Sequence, residues 1–371
     1  MENLIENFMR QAIDLARRGE GRTRPNPAVG ALIVKDGEIV GRGFHPKAGQ
    51  PHAEIYALRE AGDRARGADM YVTLEPCSHH GRTGPCADAI IEAGLARVYV
   101  GTLDPNPQVA GGGIRKLQGA GIEVHCGVLE NLCRRIIAPF AKHILTAKPF
   151  VVLKSAMTLD GKTATASGHS QWVTSAASRH EVHKLRDRMD GIMVGIGTVL
   201  QDDPQLTTRL PDEGGRDPER IVLDSSLRIP EDAAILNLQS SAATLIATTA
   251  RASKAKIEAI RAAGAEVLVL PESGGRVDLH ALMTALGARG LQSILLEGGA
   301  ELNGAFWRAG LVDRVMMFIA PKIVGGDGGK GVFKGPGVLT MTEATVLEDV
   351  RVTHFGDDTL IEGEVVTCSP V

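Results

Sequence analysis

Pro51-His52-Ala53-Glu54, then Thr73-Leu74-Glu75-Pro76-Cys77, then Pro85-Cys86, decide how the first half of this chain is read. His52, Cys77 and Cys86 can fill three of the four tetrahedral positions around a zinc ion. The fourth is left for water, which separates a catalytic zinc site from a structural one. Glu54, two residues past His52, can face that water as a proton shuttle without taking a metal position. The apolar spacing predicts a helix over Ala53–Ala65, a strand over Asp69–Leu74, a loop over Glu75–Pro85 and a helix over Cys86–Ala93. Cys77 then lies past a strand end and Cys86 at a helix start. A helix N-terminus and a metal both lower a thiol pKa, so both sulfurs should bind as thiolates. A lone free Cys is often just a buried hydrophobe, and Cys126, Cys133 and Cys368 are read as core or surface cysteines. His79 and His80 stand in the loop as rival ligands, read as facing substrate or solvent. Three ligands beside a glutamate argue against a zinc finger.

Working outward, Leu4 to Ala16 carries helical apolar spacing. Thr23–Pro27 is a turn that cannot be helical through both prolines. Asn26 is the one good hydrogen-bonding side chain there, in a pattern that turn chemistry alone also explains. Ala28–Val34 and Glu38–Phe44 read as a hairpin around Lys35-Asp36-Gly37, with His45 just past it. Further strands at Arg97–Leu103 and Ile122–Cys126 alternate with helices at Gly113–Gly119 and up to Thr146. That alternation predicts a layered α/β domain with a mixed sheet.

The 371 residues suit two domains, and 43% apolar with 23% charged residues is ordinary for a globular protein. A net charge of −3 gives no basic field for nucleic acid or an anionic membrane. No apolar run reaches the length of a membrane span, and the acidic N-terminus does not read as a signal peptide. Five cysteines, an odd number, fit a reducing cytoplasm better than a disulfide framework.

The H-x-E … P-C … C order is the signature of zinc deaminases. T-R-P-N-P-A-V-G-A (23–31), G-x-G-F-H-P-K-A-G-x-P-H-A-E (41–54), T-L-E-P-C-S-H-H-G-R-T-G-P-C (73–86) and D-P-N-P-x-V-A-G-x-G (104–113) narrow it. Together they resemble the bifunctional riboflavin-biosynthesis deaminase–reductases. Eight residues separate Cys77 from Cys86, where nucleoside and nucleic-acid deaminases have two. The resemblance implies a cytidine-deaminase-like three-layer α/β/α domain over 1–146, acting on a phosphoribosylamino-pyrimidine. His52, Cys77 and Cys86 would hold one zinc ion, Glu54 would be catalytic, and Asn26, His45, Arg82, Asp104 and Asn106 would contact substrate.

The second half shows its own alternation of strands and helices from Phe150 to about Val366, without a second metal set. Val194-Gly195-Ile196-Gly197-Thr198 and Glu297-Gly298-Gly299-Ala300-Glu301 follow strands, where glycine permits close backbone approach and a helix start favours an anion. Either also serves as a plain tight turn. Neither is the G-x-G-x-x-G of a Rossmann unit. With K-S-A-M-T-L-D-G-K (154–162), H-x-L-R-x-x-x-D-G-I-M-V-G-I-G-T (183–198) and D-D-P-x-L-T-x-R (202–209), this half resembles the reductase of the same family. The resemblance implies a dihydrofolate-reductase-like α/β domain over 147–371 that uses NADPH to reduce a ribosyl chain to ribityl. It makes Ala156, Trp172, Thr198, Asp202, Ser225, Gly299, Ala300 and Glu301 cofactor contacts. It makes Ser170, Arg186, Leu206, Arg209 and Glu297 substrate contacts, with Arg186 and Arg209 as phosphate forks. It also implies a dimer joined through the reductase halves. Lys154 reads as a polar pocket group or a strand-end charge. Asp160 and Glu297 are the carboxylates on offer as the reductase acid, and the sequence does not choose between them.

Two other readings compete: a nucleoside or nucleic-acid deaminase with an unrelated appendage, and a non-catalytic zinc scaffold. The charge balance and the long cysteine spacing oppose the first. Glu54 beside an open coordination position opposes the second.

Overall fold

The apolar stripe from Leu4 to Ala16 folds as α1 (Glu2–Arg17), burying Phe8, Met9, Ala12, Ile13 and Ala16 along one face. The computed structural model describes residues 2–78, 84–107, 109–210 and 214–366. The chain divides into two compact units, Met1–Ala147 and Lys148–Pro370.

In the first unit, α1 is followed by β1 (Gly30–Lys35), β2 (Glu38–Phe44), α2 (Ala53–Ala61), β3 (Asp69–Leu74), α3 (Cys86–Ala93), β4 (Arg97–Thr102), α4 (Gly112–Gly119), β5 (Glu123–Cys126) and α5 (Glu130–Thr146). The sheet runs β2-β1-β3-β4-β5. β1 is antiparallel to β2 and β3, while β3, β4 and β5 are parallel. Side chains alternate across it with the period of two that strands impose. Ala31, Ile33, Met70, Val72, Val98 and Val100 pack with Ala53 and Ala57 of α2, Ile90 of α3 and Leu117 of α4. Leu32, Val34, Tyr71 and Tyr99 face the other way, onto α1 and Cys133 of α5. The result is the expected three-layer α/β/α arrangement. α2 stops four residues before the expected Ala65, because Gly62 turns into the left-handed region at φ 53° and a 3-10 turn covers Gly62–Ala65.

The second unit holds β6 (Phe150–Thr158), α6 (Ala176–Arg188), β7 (Gly191–Gly195), α7 (Ile196–Asp202), β8 (Glu219–Leu223), β9 (Thr244–Thr248), α8 (Lys254–Ala262), β10 (Glu266–Val269), β11 (Glu272–Ser273), β12 (Arg276–Val277), α9 (Leu279–Ala288), β13 (Ser293–Leu296), α10 (Ala300–Arg308), β14 (Arg314–Ala320), β15 (Leu347–Phe355) and β16 (Asp358–Val365). Its sheet runs β10-β9-β8-β7-β13-β6-β14-β16-β15, parallel from β10 to β14 and antiparallel beyond. β9 and β13 are buried along their whole length, as strands covered on both faces must be. Val194–Thr198 is not an isolated glycine turn. β7 runs straight into α7 with Gly195 as N-cap, because Ile196 and Val199 bury themselves at helical spacing. Among the described residues, no helix is long and apolar enough to cross a membrane.

Candidate functional sites

His52 caps the start of α2, and Glu54 lies in that helix's first turn. Gly41 and Gly43 on β2 let the helix come this close: a Cβ on Gly43 would lie 2.0 Å from the Ala53 carbonyl oxygen, and one on Gly41 2.2 Å from that of Ala57. Cys86 is the first residue of α3, and its backbone N–H donates to Cys77 Sγ at 3.3 Å. His52 Nδ1 lies 3.7 Å from Cys77 Sγ and 3.3 Å from Cys86 Sγ, and the three candidate ligand atoms fall within 4.8 Å of one another. Zinc bonds of about 2.3 Å to sulfur and about 2.1 Å to nitrogen, at tetrahedral angles, separate N and S by about 3.6 Å. The donor set therefore fits a zinc ion in chemistry and in size.

Glu54 is 3% exposed, and burial pushes its carboxyl up to about 7, against the opposing pull of His52. That places it where a group must sit to take and return a proton near neutrality. The hydrogen bond from the Cys86 thiol draws Cys77 down to about 4, and the same contact with burial pushes Cys86 up. Alone, the two sulfurs hold one proton between them; a dication would release it.

Asn26 and His45 do come together, with Asn26 Nδ2 at 3.1 Å from His45 Nε2. His45 Nδ1 lies 3.0 Å from the Pro51 carbonyl, which can only accept, so in the neutral ring Nε2 accepts from Asn26. Both nitrogens are engaged, and burial holds the ring below its ordinary pKa. His45 thus orients Asn26 instead of offering a free donor. Its ring also meets that of His52 edge-on at 5.2 Å. Asp104 Oδ1 accepts the N–H of Asn106 at 2.8 Å. Glu75, which carries no role in the sequence reading, anchors this loop. Its buried carboxylate accepts N–H bonds from Asp104, Gly111, Gly113 and Ile114. Gly113 must be glycine, since a Cβ would lie 1.9 Å from the Pro76 carbonyl oxygen. Arg82, His79 and His80 lie outside the described residues.

In the second unit, a cleft of about 1430 Å³ opens at the carboxyl ends of the parallel strands. It is lined by Ala156, Trp172, Thr198, Asp202, Ser225, Gly299, Ala300 and Glu301, and by Ser170, Arg186, Arg209 and Glu297. Leu206 is not among the lining residues; it is 5% exposed, with φ 54°. Gly299 N-caps α10 without any side-chain cap, leaving the first-turn N–H groups of that helix to an anion. A Cβ on Gly299 would lie 3.8 Å from Thr198 Oγ1, so the starts of α7 and α10 meet here.

Arg186 is not a free phosphate fork. Its Nε and Nη2 donate to Glu297 at 2.8 and 3.1 Å, and its Nη1 donates to the Thr207 carbonyl at 3.0 Å. Arg209 makes no ion pair among the described residues, and its backbone N–H donates to His183 Nδ1 at 3.2 Å. Lys154 Nζ lies 3.6 Å from Glu297. Burial raises the Glu297 carboxyl, but Arg186 and Lys154 outweigh it and hold it at about 2. Asp160 accepts from Thr158 Oγ1 and from the N–H groups of Val324 and Gly325, bonds that keep it at about 2. It anchors a loop and does not line the cleft. Both carboxylates are thus held below the usual carboxylate range, which does not favour either as the reductase acid. Lys154 stands beside Glu297 at this spot, and burial lowers its pKa.

A zinc-deaminase layer structure carrying a His-Cys-Cys cluster beside a buried glutamate, fused to a dihydrofolate-reductase-like parallel sheet with a nucleotide-sized cleft, defines a two-activity deaminase–reductase. The cytidine and deoxycytidylate deaminase zinc-binding region matches residues 2–102, and the RibD C-terminal domain matches residues 149–361. The riboflavin biosynthesis protein RibD of Escherichia coli (strain K12) is 44% identical, over 95% of this chain and 97% of its own length. Acinetobacter baumannii RibD superposes with a TM-score of 0.83 at 37% identity, covering 98% of this chain and 99% of that one. The deaminase/reductase of Thermotoga maritima superposes at 0.82, also at 37% identity, over 98% and 99%. The chain belongs to the RibD family, the bifunctional deaminase–reductases of riboflavin biosynthesis.

Proposed function

We propose that the first unit deaminates 2,5-diamino-6-(5-phosphoribosylamino)pyrimidin-4(3H)-one. The second unit then reduces the resulting 5-amino-6-(5-phosphoribosylamino)uracil to its ribityl form with NADPH. The Thermotoga maritima relative is named for this deaminase and this reductase. The observation that carries the reading is Glu54, buried in the first turn of α2 beside the three zinc donors.

His52 Nδ1, Cys77 Sγ and Cys86 Sγ would hold one zinc ion per chain. When bound, zinc supplies Lewis acidity that brings the pKa of water to about 7. Glu54 takes one proton from the attacking water and gives it to the ring nitrogen, then takes the second from the new hydroxyl and gives it to the amine, so that the C–N bond breaks, C=O forms and ammonia leaves. Asn26, held by His45, and the Asp104–Asn106 turn, held by Glu75, position the pyrimidine.

In the second unit NADPH supplies the hydride. Lys154 donates the proton that balances it, and Glu297 keeps Lys154 oriented. Arg209 grips the substrate phosphate, while Arg186 is spent on Glu297. The dimer through second units stays within the proposal: β15 is a sheet edge, with Val350 and Val352 53% and 58% exposed.

The test supplies the diaminopyrimidine ribotide with and without NADPH. Ammonia is expected without NADPH, and NADPH oxidation only after deamination. Ammonia release with no NADPH consumption would remove the assignment of the second unit and leave the first standing.

A further inference from the structure

His183 lines the second-unit cleft with Arg186 and Arg209, and the proposed reduction gives it no part. It sits on α6 three residues before Arg186, so the two side chains leave the helix on one face. Both reach the same stretch of backbone, the one that carries Arg209. Arg186 Nη1 donates to the Thr207 carbonyl at 3.0 Å, and the Arg209 N–H donates to His183 Nδ1 at 3.2 Å. Between them the Thr208 N–H turns the other way and donates to Asp217 Oδ1 at 2.7 Å. Groups that alternate in this manner belong to an extended chain. Residues 207–209 are therefore an extended stretch held on both edges by side chains, where a sheet would use neighbouring strands.

The far edge is itself anchored. Asp217 Oδ2 accepts from Ser240 Oγ at 2.7 Å, and Ser240 Oγ accepts at 3.2 Å from Nη1 of Arg220, which is buried in β8. Just upstream, Leu206 turns the chain at φ 54° and buries its side chain. The backbone thus arrives at Arg209 already fixed, while the Arg209 side chain stays exposed at the cleft. The tautomer of His183 follows from its partner. A backbone N–H can only donate, so Nδ1 is the bare nitrogen and Nε2 carries the ring hydrogen. Burial, Arg186 and Arg209 keep the ring in this neutral form. An imidazolium would have no lone pair on Nδ1, and the bond to Arg209 would be lost.

We infer that His183 is a positioning residue of the reductase, which through Nδ1 fixes the Arg209 backbone so that the guanidinium meets the substrate phosphate already placed. The inference rests on the reading of Arg209 as the phosphate grip. A long side chain gives up freedom when it binds, and a fixed backbone beneath it removes part of that ordering cost before the substrate arrives. The contribution of His183 is therefore affinity for the phosphate, felt only by a phosphorylated substrate.

The test is steady-state reduction by the full chain at saturating NADPH. The substrates are 5-amino-6-(5-phosphoribosylamino)uracil and the corresponding riboside, which lacks the phosphate. Arg209→Gln sets the reference: it should raise KM for the phosphorylated substrate about thirtyfold and hold that for the riboside within about twofold. His183→Phe keeps a ring and removes the acceptor. It should raise KM for the phosphorylated substrate about tenfold, with kcat and the riboside KM within about twofold. His183→Leu repeats the measurement without the bulk of a ring, so a packing defect of the phenyl group is told apart. His183→Asn puts Oδ1 where Nδ1 stood and should bring KM back to within about threefold of wild type. An unchanged KM in both His183→Phe and His183→Leu overturns the inference and leaves Arg209 as the phosphate grip. Equal KM increases for the two substrates, a fall in kcat, or no rescue by His183→Asn also overturn it, because His183 would then support the fold or the chemistry at large. If Arg209→Gln leaves KM for the phosphorylated substrate unchanged, the phosphate reading of Arg209 fails and takes the inference with it.

Discussion

Arg186 and Glu297, 111 residues apart, close a two-pronged ion pair inside the reductase cleft, at 2.8 and 3.1 Å, with both side chains 12% exposed. Removing one partner of a buried pair strands the other charge, which typically costs about 3–5 kcal/mol. Arg186→Ala should therefore destabilise the second unit by about 3 kcal/mol and abolish NADPH oxidation. Both tryptophans, Trp172 and Trp307, lie in that unit, so tryptophan fluorescence during denaturation follows it alone. Arg186→Lys should rescue little, because an ammonium cannot span both carboxylate oxygens. A stable Arg186→Ala variant with raised KM for substrate and unchanged kcat would restore Arg186 as a phosphate contact.

The same cleft sets an acid limit. Burial, then Arg186 and Arg209, hold His183 down at about 4, against 6.5 in an unfolded chain. Between those values the unfolded chain binds a proton that the folded one refuses, so stability falls as pH drops from about 6.5 towards about 4. Glu297, held at about 2 against 4.5, adds a second loss as pH falls from about 4.5 towards about 2. The thermal midpoint of the tryptophan signal should decline steadily as pH falls below about 6.5. His183→Asn should remove the upper part of that decline; an unchanged profile would acquit His183.

The cluster of candidate metal donors was legible because its signal is local. His52, Cys77 and Cys86 announce themselves by residue type at element ends, and the ends were readable from periodicity. Pairings across the fold were not. Nothing near Arg186 reveals that Glu297 fills its fork, and nothing near Glu75 reveals four converging backbone amides, which carry no sequence signature. The β11–β12 hairpin was missed despite a usable signal: Gly274 and Gly275 both take positive φ, the Gly-Gly turn that joins two short strands. Two-residue strands were too short for any periodicity to show. Leu206, a substrate contact by resemblance, has its apolar side chain buried, as its residue type alone would suggest.

Glu54 separates metal binding from proton transfer. Glu54→Gln keeps the shape of the side chain and removes its basicity. It should retain about one zinc per chain by elemental analysis and lose ammonia release by about 10²–10⁴-fold. Reduction of the pre-deaminated intermediate should continue. Loss of zinc from this variant would make Glu54 a ligand and end its assignment as shuttle.

Glu75 acts on the deaminase site through the backbone. Glu75→Gln would turn an amide NH₂ towards N–H groups that now donate to a carboxylate. Each stranded buried donor costs about 1–3 kcal/mol. The 104–107 turn should loosen, raising KM for the pyrimidine about tenfold while zinc content stays near one per chain. A stability loss with KM unchanged would confine Glu75 to the fold.

Gly43 ties packing to chemistry. A methyl there would lie 2.0 Å from the Ala53 carbonyl oxygen and 2.7 Å from the Ala57 nitrogen, both backbone atoms that no rotamer change can move aside. The first turn of α2 would have to shift off the sheet, carrying Glu54 and the capping His52 with it. Overpacking of this kind costs about 1–3 kcal/mol. Gly43→Ala should therefore weaken zinc retention against a chelator and depress ammonia release together. Reduction of the pre-deaminated intermediate by the second unit should continue, since the strain arises within the first unit. Gly37→Ala serves as the control: Gly37, unlike Gly43, has positive φ, and a Cβ there meets nothing within 4 Å. Its penalty is backbone strain at a hairpin tip, with no push on α2, so it should cost stability without loosening the metal. If Gly43→Ala and Gly37→Ala retain zinc equally well, the close approach of α2 to β2 is not what sets the geometry of the metal donors.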